Sequence, residues 1–175
     1  MANGEHKWLV ETDWLASHLD APDLVILDAS MHLPTTKRNA RAEYLDAHIP
    51  GALFFDIDDI ADDTSSLPHM LPSPTKFASR MKKMGVGDGM HIVAYDSEGL
   101  YSAARAWWMF RTMGHDEVRV LNGGLKKWRA EDRPLEDGHP RQRTPRHFTP
   151  VYNAGLVRDA TEVKSLIDNP MVQIV

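Results

Sequence analysis

Cysteine is absent from all 175 residues. That absence excludes a disulfide scaffold, a thiolate metal site and a cysteine nucleophile within the chain. Long hydrophobic runs are missing as well, and none approaches the ~18 residues that a membrane span needs. Positive charge is not in excess. With 20 basic and 25 acidic side chains the net charge is −5, which argues against a nucleic-acid partner. The opening stretch, residues 1–8, is too polar for a signal-peptide core, so a cytoplasmic address is expected. The nine histidines never fall two, three or four positions apart. A local metal site therefore has no support, and no cofactor is expected. What remains is 42% hydrophobic and 26% charged, the balance of a soluble globular chain able to bury a core of its own.

Short apolar runs alternate with amphipathic stretches, the pattern of an α/β fold. Leu24-Val-Ile-Leu27, Leu53-Phe-Phe55, His91-Ile-Val-Ala-Tyr95 and Val118-Arg-Val-Leu121 read as strands. Helices are expected over 13–19 behind Thr12 as cap, over 41–47, over 76–84 between Thr75 and Gly85, over 102–113 before Gly114, and from Gly124 through Trp128. Residues 58–74 read as a loop dense in Asp, Ser and Pro. Strands separated by helices imply right-handed crossovers, hence a mostly parallel sheet of about five strands with helices on both faces. From Arg133 to Gly155 the composition shifts, with four of the eleven prolines and four arginines. The stretch reads as an extended linker; for a basic RNA-binding strip, Phe148 is thin support for stacking. Beyond it the chain begins again. At an offset of 148, Ser17, Asp20, Pro22 and Ile26 meet Ser165, Asp168, Pro170 and Ile174. The repeat suggests a tandem duplication whose second copy stops at its first strand, 171–175, behind a helix over 159–167 that turns Val163, Leu166 and Ile167 inward.

Three motifs carry a resemblance: His48-Ile-Pro-Gly-Ala52, Tyr95-Asp96 with the run from Leu100 to Arg111, and Leu121-Asn-Gly-Gly-Leu-Lys-Lys-Trp128. By their order and spacing the chain resembles the rhodanese family, and within it the N-terminal domain of two-domain sulfurtransferases acting on 3-mercaptopyruvate or thiosulfate. The resemblance implies an N-terminal rhodanese-like domain over 1–132, a linker over 133–155, and the start of a second domain over 156–175. That second domain would be the main partner, beside a small-molecule sulfur donor. In the family, sulfur rides as a persulfide on a cysteine between a strand and a helix. Here that place holds Asp96, so the resemblance implies a silent copy, with the cysteine in the second domain. A phosphoryl-accepting role for Asp96 would need acidic partners and a lysine or threonine that Ser97 and Glu98 do not supply, so it reads as a loop or helix-capping aspartate.

The resemblance also singles out Asp58 and His69, eleven positions apart, the latter before Met70-Leu-Pro72. In mercaptopyruvate sulfurtransferases such a pair is thought to join a serine of the cysteine loop as a proton relay. Composition by itself would make His69 a surface histidine paired with any nearby acid. Arg105 either faces the interdomain cleft and an anionic substrate or closes a structural ion pair. A rival of another class is a non-catalytic module that docks on a separate protein.

Overall fold

A chain stretch apolar on both sides can only be satisfied inside a sheet covered on both faces, and the run from Leu24 takes that place. In the computed structural model, which describes residues 7–174, five strands form one sheet: β1 (Leu9–Val10), β2 (Leu24–Asp28), β3 (Leu53–Phe54), β4 (His91–Tyr95) and β5 (Val118–Leu121). Their order is β1-β5-β4-β2-β3 and every pairing is parallel, with Leu24 opposite His91 and Asp28 opposite Tyr95 in the central pair. The expectation of a mostly parallel sheet thus becomes an entirely parallel one, and β1 is a strand the sequence did not single out.

The pleat divides the apolar residues into two layers. Val25, Leu27, Ile92, Ala94, Val118 and Val120 face one layer, where α3 (Ile57–Ile60), α4 (Pro74–Met84) and α5 (Ala103–Thr112) supply Ile57, Phe77, Met81 and Phe110. Leu24, Ile26, Val93, Tyr95 and Leu121 face the other, against Leu15 of α1 (Thr12–Ser17), Tyr44 of α2 (Ala40–Asp46) and Trp128 of α6 (Gly124–Ala130).

Several local expectations shift for identifiable reasons. Thr12 is the first helical residue and is buried, with Glu11 as the cap position of α1. Helix α4 is capped by Ser73, whose side chain accepts from the Lys76 N–H, because Pro74 fits the first helical position where no N–H is needed. The stretch read as a loop from Asp58 contains one helical turn, α3, because the Asp56 carboxylate accepts from the N–H groups of Asp58 and Asp59.

The proline- and arginine-rich stretch is extended but not loose. Its Phe148 is 3% exposed and packs edge-on to Phe77, with Phe110 and His115 beside it. Asp88 N–H donates to the His147 carbonyl at 2.9 Å, and the Asp88 carboxylate accepts from Thr149 at 2.6 and 2.8 Å. At Gly87 a Cβ would lie 2.6 Å from the His147 carbonyl oxygen, so only glycine lets this strap approach.

The last helix, α7 (Ala160–Leu166), forms with a capping box between Asp159 and Glu162. It is not docked as expected: Val163 and Ile167 are exposed. The strand expected over 171–175 is absent among the described residues. Met171 is 89% exposed and Val172 closes a turn onto the Asn169 carbonyl. A strand needs a neighbour, and the described residues offer this segment none. Val175 and the polar opening stretch through residue 6 lie outside the described residues. No helix among those described is long and apolar enough to cross a membrane.

Candidate functional site

Parallel strands deliver their carboxyl ends to one edge, and chemistry in open α/β sheets gathers there. At this edge β4 runs into Asp96, buried at 1% exposure. One carboxylate oxygen accepts from the N–H groups of Glu98 and Gly99 at 2.9 and 2.6 Å, the other from Tyr101 and Ala103 at 2.7 and 2.8 Å. Ala103 begins α5, so Asp96 caps that helix, while the hydroxyl of Ser102, at the usual cap position, accepts instead from Met31 N–H. Ser30 ties the same loop to β2 by accepting from the Ser97 N–H. The arrangement is an anion cradle of backbone dipoles, filled by a carboxylate of the chain itself.

Asp58 and His69 meet. His69 Nδ1 lies 2.7 Å from Asp58 Oδ1, with both side chains open to solvent. A carboxylate at Nδ1 assigns the ring proton to that nitrogen and leaves Nε2 as the basic one. His69 adopts a φ of +57°, a left-handed backbone unusual for a residue with a Cβ. Arg105, on the first turn of α5, holds it there by donating to the His69 carbonyl. The Arg105 guanidinium also lies 4.6 Å from the Trp108 ring centroid, and Trp108 donates to the Leu156 carbonyl at 2.9 Å. Burial lowers the Arg105 pKa from the usual guanidinium value. Of the two roles open to Arg105 in the sequence, a structural ion pair is not formed among the described residues; its partners are a carbonyl and an aromatic face. Asp58, His69 and Arg105 thus form one group.

Sequence reasoning missed the polar ring beside the cradle. Glu98 is gripped by Lys126 at 2.5 Å and by Arg38, which also pairs with Glu43 at 2.7 Å. The Lys126 ammonium first, and then Arg38, hold the Glu98 carboxyl down at about 2. These residues border a cleft of ≈ 430 Å³ whose wall includes Asp28 and Ser97. Behind it, Asp28 is buried and bonded to Ser30 N–H, and burial raises its pKa. No spacing signal links positions so far apart in the chain.

A family model described as the Rhodanese-like domain matches residues 11–131. The 3-mercaptopyruvate sulfurtransferase of Escherichia coli K12 is 46% identical over 157 residues, covering 89% of this chain and 56% of that protein. Thiosulfate/3-mercaptopyruvate sulfurtransferase 1 of Arabidopsis thaliana, mitochondrial, is 51% identical over 128 residues, covering 73% of this chain and 34% of the relative. The crystal structure of SseA from Escherichia coli superimposes with a TM-score of 0.88 at 44% identity, covering 95% of this chain and 63% of that one. The chain spans little more than half the length of the first relative and about a third of the second.

Proposed function

Because this chain belongs to the rhodanese-like domain family, we propose that it is the N-terminal, persulfide-free part of a sulfurtransferase that takes sulfur from 3-mercaptopyruvate. Residues 1–132 form that domain, 133–155 lead away from it, and 156–175 open a second rhodanese domain that carries the cysteine. The observation that carries the reading is the Asp58–His69 pair, held by Arg105 at the carboxyl edge of the sheet. The relatives' names support the donor. Met70, which follows His69 in the chain, and Leu100 and Tyr101, just ahead of α5, are exposed, which suits a site completed by a second wall.

The chemistry follows from the pair. A thiolate of the second domain attacks the donor sulfur, an S–S bond forms, and the C–S bond breaks with its electron pair left on the pyruvate carbon. A protonated His69 delivers the proton that carbon or its enolate takes up, and Asp58 stabilises the imidazolium before transfer. Asp96 keeps the local cradle closed, since its carboxylate already uses the donors that would hold a charged sulfur. Sulfur then passes from the persulfide to a thiol or to cyanide.

The test uses a form of the protein that includes the cysteine domain. His69→Ala should lower turnover with 3-mercaptopyruvate by the ~10²–10⁴ range of general acid–base catalysis. Thiosulfate, whose leaving group needs less protonation, should be affected less. Equal losses with both donors would reduce His69 to a structural residue.

A further inference from the structure

On the far side of α2 from the Glu98 ring, one cleft has no carboxylate in its wall. It measures ≈ 320 Å³ and is bounded by α2, the edge strand β3, the C-terminal turn of α4 and the strap around residue 141. Arg41, Lys83, Arg141 and Arg143 stand around it, and Phe54 and Met84 give it an apolar floor. In a chain of net charge −5 such a concentration of one sign is not a matter of composition. Arg38, Arg80, Lys126 and Arg133 each pair with a carboxylate. None of the four cleft cations does so among the described residues.

Local structure does not account for the cluster. Lys83 lies in the last turn of α4, where the helix dipole favours a cation. Arg41 lies in the first turn of α2, where the dipole opposes one, and its guanidinium hangs 5.6 Å from the Phe54 ring centroid instead. Arg143 is half-buried against the cap of α4, where a Cβ on Gly85 would come 2.5 Å from its own Cβ. Burial and then the neighbouring Arg146 lower its pKa, the signature of a cation without compensation. Like charges so arranged repel until an anion enters.

We infer that this cleft binds an organic polyanion, a small molecule bearing two or more phosphate or carboxylate groups on an apolar or aromatic body. The cations supply charge-assisted donors for the anionic groups. The floor of Phe54 and Met84 takes the body, and the volume is that of a small-molecule site. A nucleic-acid strand fits less well, because Phe148 is buried in the core, the exposed Tyr152 does not line the cleft, and Tyr44 in its wall is buried, which leaves Phe54 as the one aromatic face for stacking. The cleft shares no residue with the Asp58–His69–Arg105 group, so the inference stands apart from the sulfur-transfer reading.

Calorimetric titration of the full chain at low salt tests it, with ATP as the organic polyanion, inorganic triphosphate as the anion without a body, and adenosine as the body without charge. ATP should bind, triphosphate should bind more weakly, and adenosine should not bind. Each lost charge-assisted contact weakens binding roughly tenfold or more. The double variant Lys83→Glu, Arg141→Glu should therefore bind ATP about a hundredfold more weakly. Both side chains are exposed, and an unchanged circular-dichroism melt confirms that the variant folds. Arg158→Glu with Lys164→Glu makes the same charge change outside the cleft and should leave binding within a few-fold. Four outcomes overturn the inference: no ATP binding at millimolar concentration, equal affinity for ATP and triphosphate, equal weakening by the control pair, or capture of oligouridylate that ATP cannot displace.

Discussion

Replacing Asp96 by asparagine changes one oxygen for an NH₂ group and nothing in shape, so its effect can be worked from the four bonds the carboxylate accepts. Asparagine keeps one acceptor oxygen, which serves either Glu98 and Gly99 or Tyr101 and Ala103, not both pairs. The amide nitrogen then points its hydrogens at two backbone N–H groups. Ala103 is buried at 1% exposure, so water cannot replace its acceptor, whereas Glu98 and Gly99 are partly open. The favoured rotamer therefore turns the amide toward Glu98 and Gly99 and sacrifices their bonds. Losing an acceptor costs about 1–3 kcal/mol per buried donor, with the lower end fitting a half-open loop. The two bonds that survive lose their charge assistance, about 1 kcal/mol each. The sum is about 3–5 kcal/mol, against a whole-domain stability of roughly 5–15 kcal/mol. Urea unfolding followed by circular dichroism should show that loss, with a midpoint temperature lower by about 6–20 °C. A change below about 1 kcal/mol would refute the claim that the cradle is closed by this carboxylate, since an unsatisfied cradle cannot be so cheap.

Phe148→Ala should destabilise the chain by about 3–5 kcal/mol in the same assay, because its ring fills a site among Phe77, Phe110 and His115; a loss under 1 kcal/mol would return the strap to the status of a loose linker. Burial raises the Asp28 pKa, so the folded chain binds that proton more tightly than the unfolded one, and stability falls as pH rises from about 4 through the folded pKa. Asp28→Asn should flatten that fall in urea titrations between pH 4 and 7, and an unchanged slope would count against it. In a form that includes the cysteine domain, Arg105→Ala should lower kcat with 3-mercaptopyruvate about 10- to 100-fold at near-constant KM, since Arg105 touches His69. A rise in KM at constant kcat would assign Arg105 to donor binding instead.

The parts of the fold written as continuous apolar runs were legible. Strands β4 and β5 fall on the residues their runs delimit, because burial on both faces leaves no other periodicity. Strand β1 is two residues long, too short for any run to mark it, and exists because the free edge of β5 accepts it. The strap was legible in composition but not in position. Proline and arginine forecast an extended path, yet what docks it is one ring and the absence of a Cβ at Gly87, both tertiary facts. Helix α7 forms where the sequence places it, from the Asp159–Glu162 capping box, but a cap fixes where a helix starts and not what it packs against.

The site divides along the same line, and the division explains why resemblance was needed to find it. An eleven-residue spacing between an acid and a histidine has no meaning in helix or strand periodicity; it becomes a contact only because the chain turns back through His69 with a positive φ. What stabilises that turn is a donation from Arg105 to a backbone carbonyl. Every residue carries a carbonyl, so no residue type advertises such a partner. Asp96 is the same case seen from the acceptor side, with four backbone N–H groups that any sequence would supply and only this loop gathers. The cationic cleft is the complementary case. Its residue types were visible, but Arg41 and Lys83 lie far from Arg141 in the chain, and only the strap crossing α4 unites them. Chemistry carried by side-chain identity can be read before folding; chemistry carried by the backbone, or by which charges the fold leaves unpaired, waits for the structure.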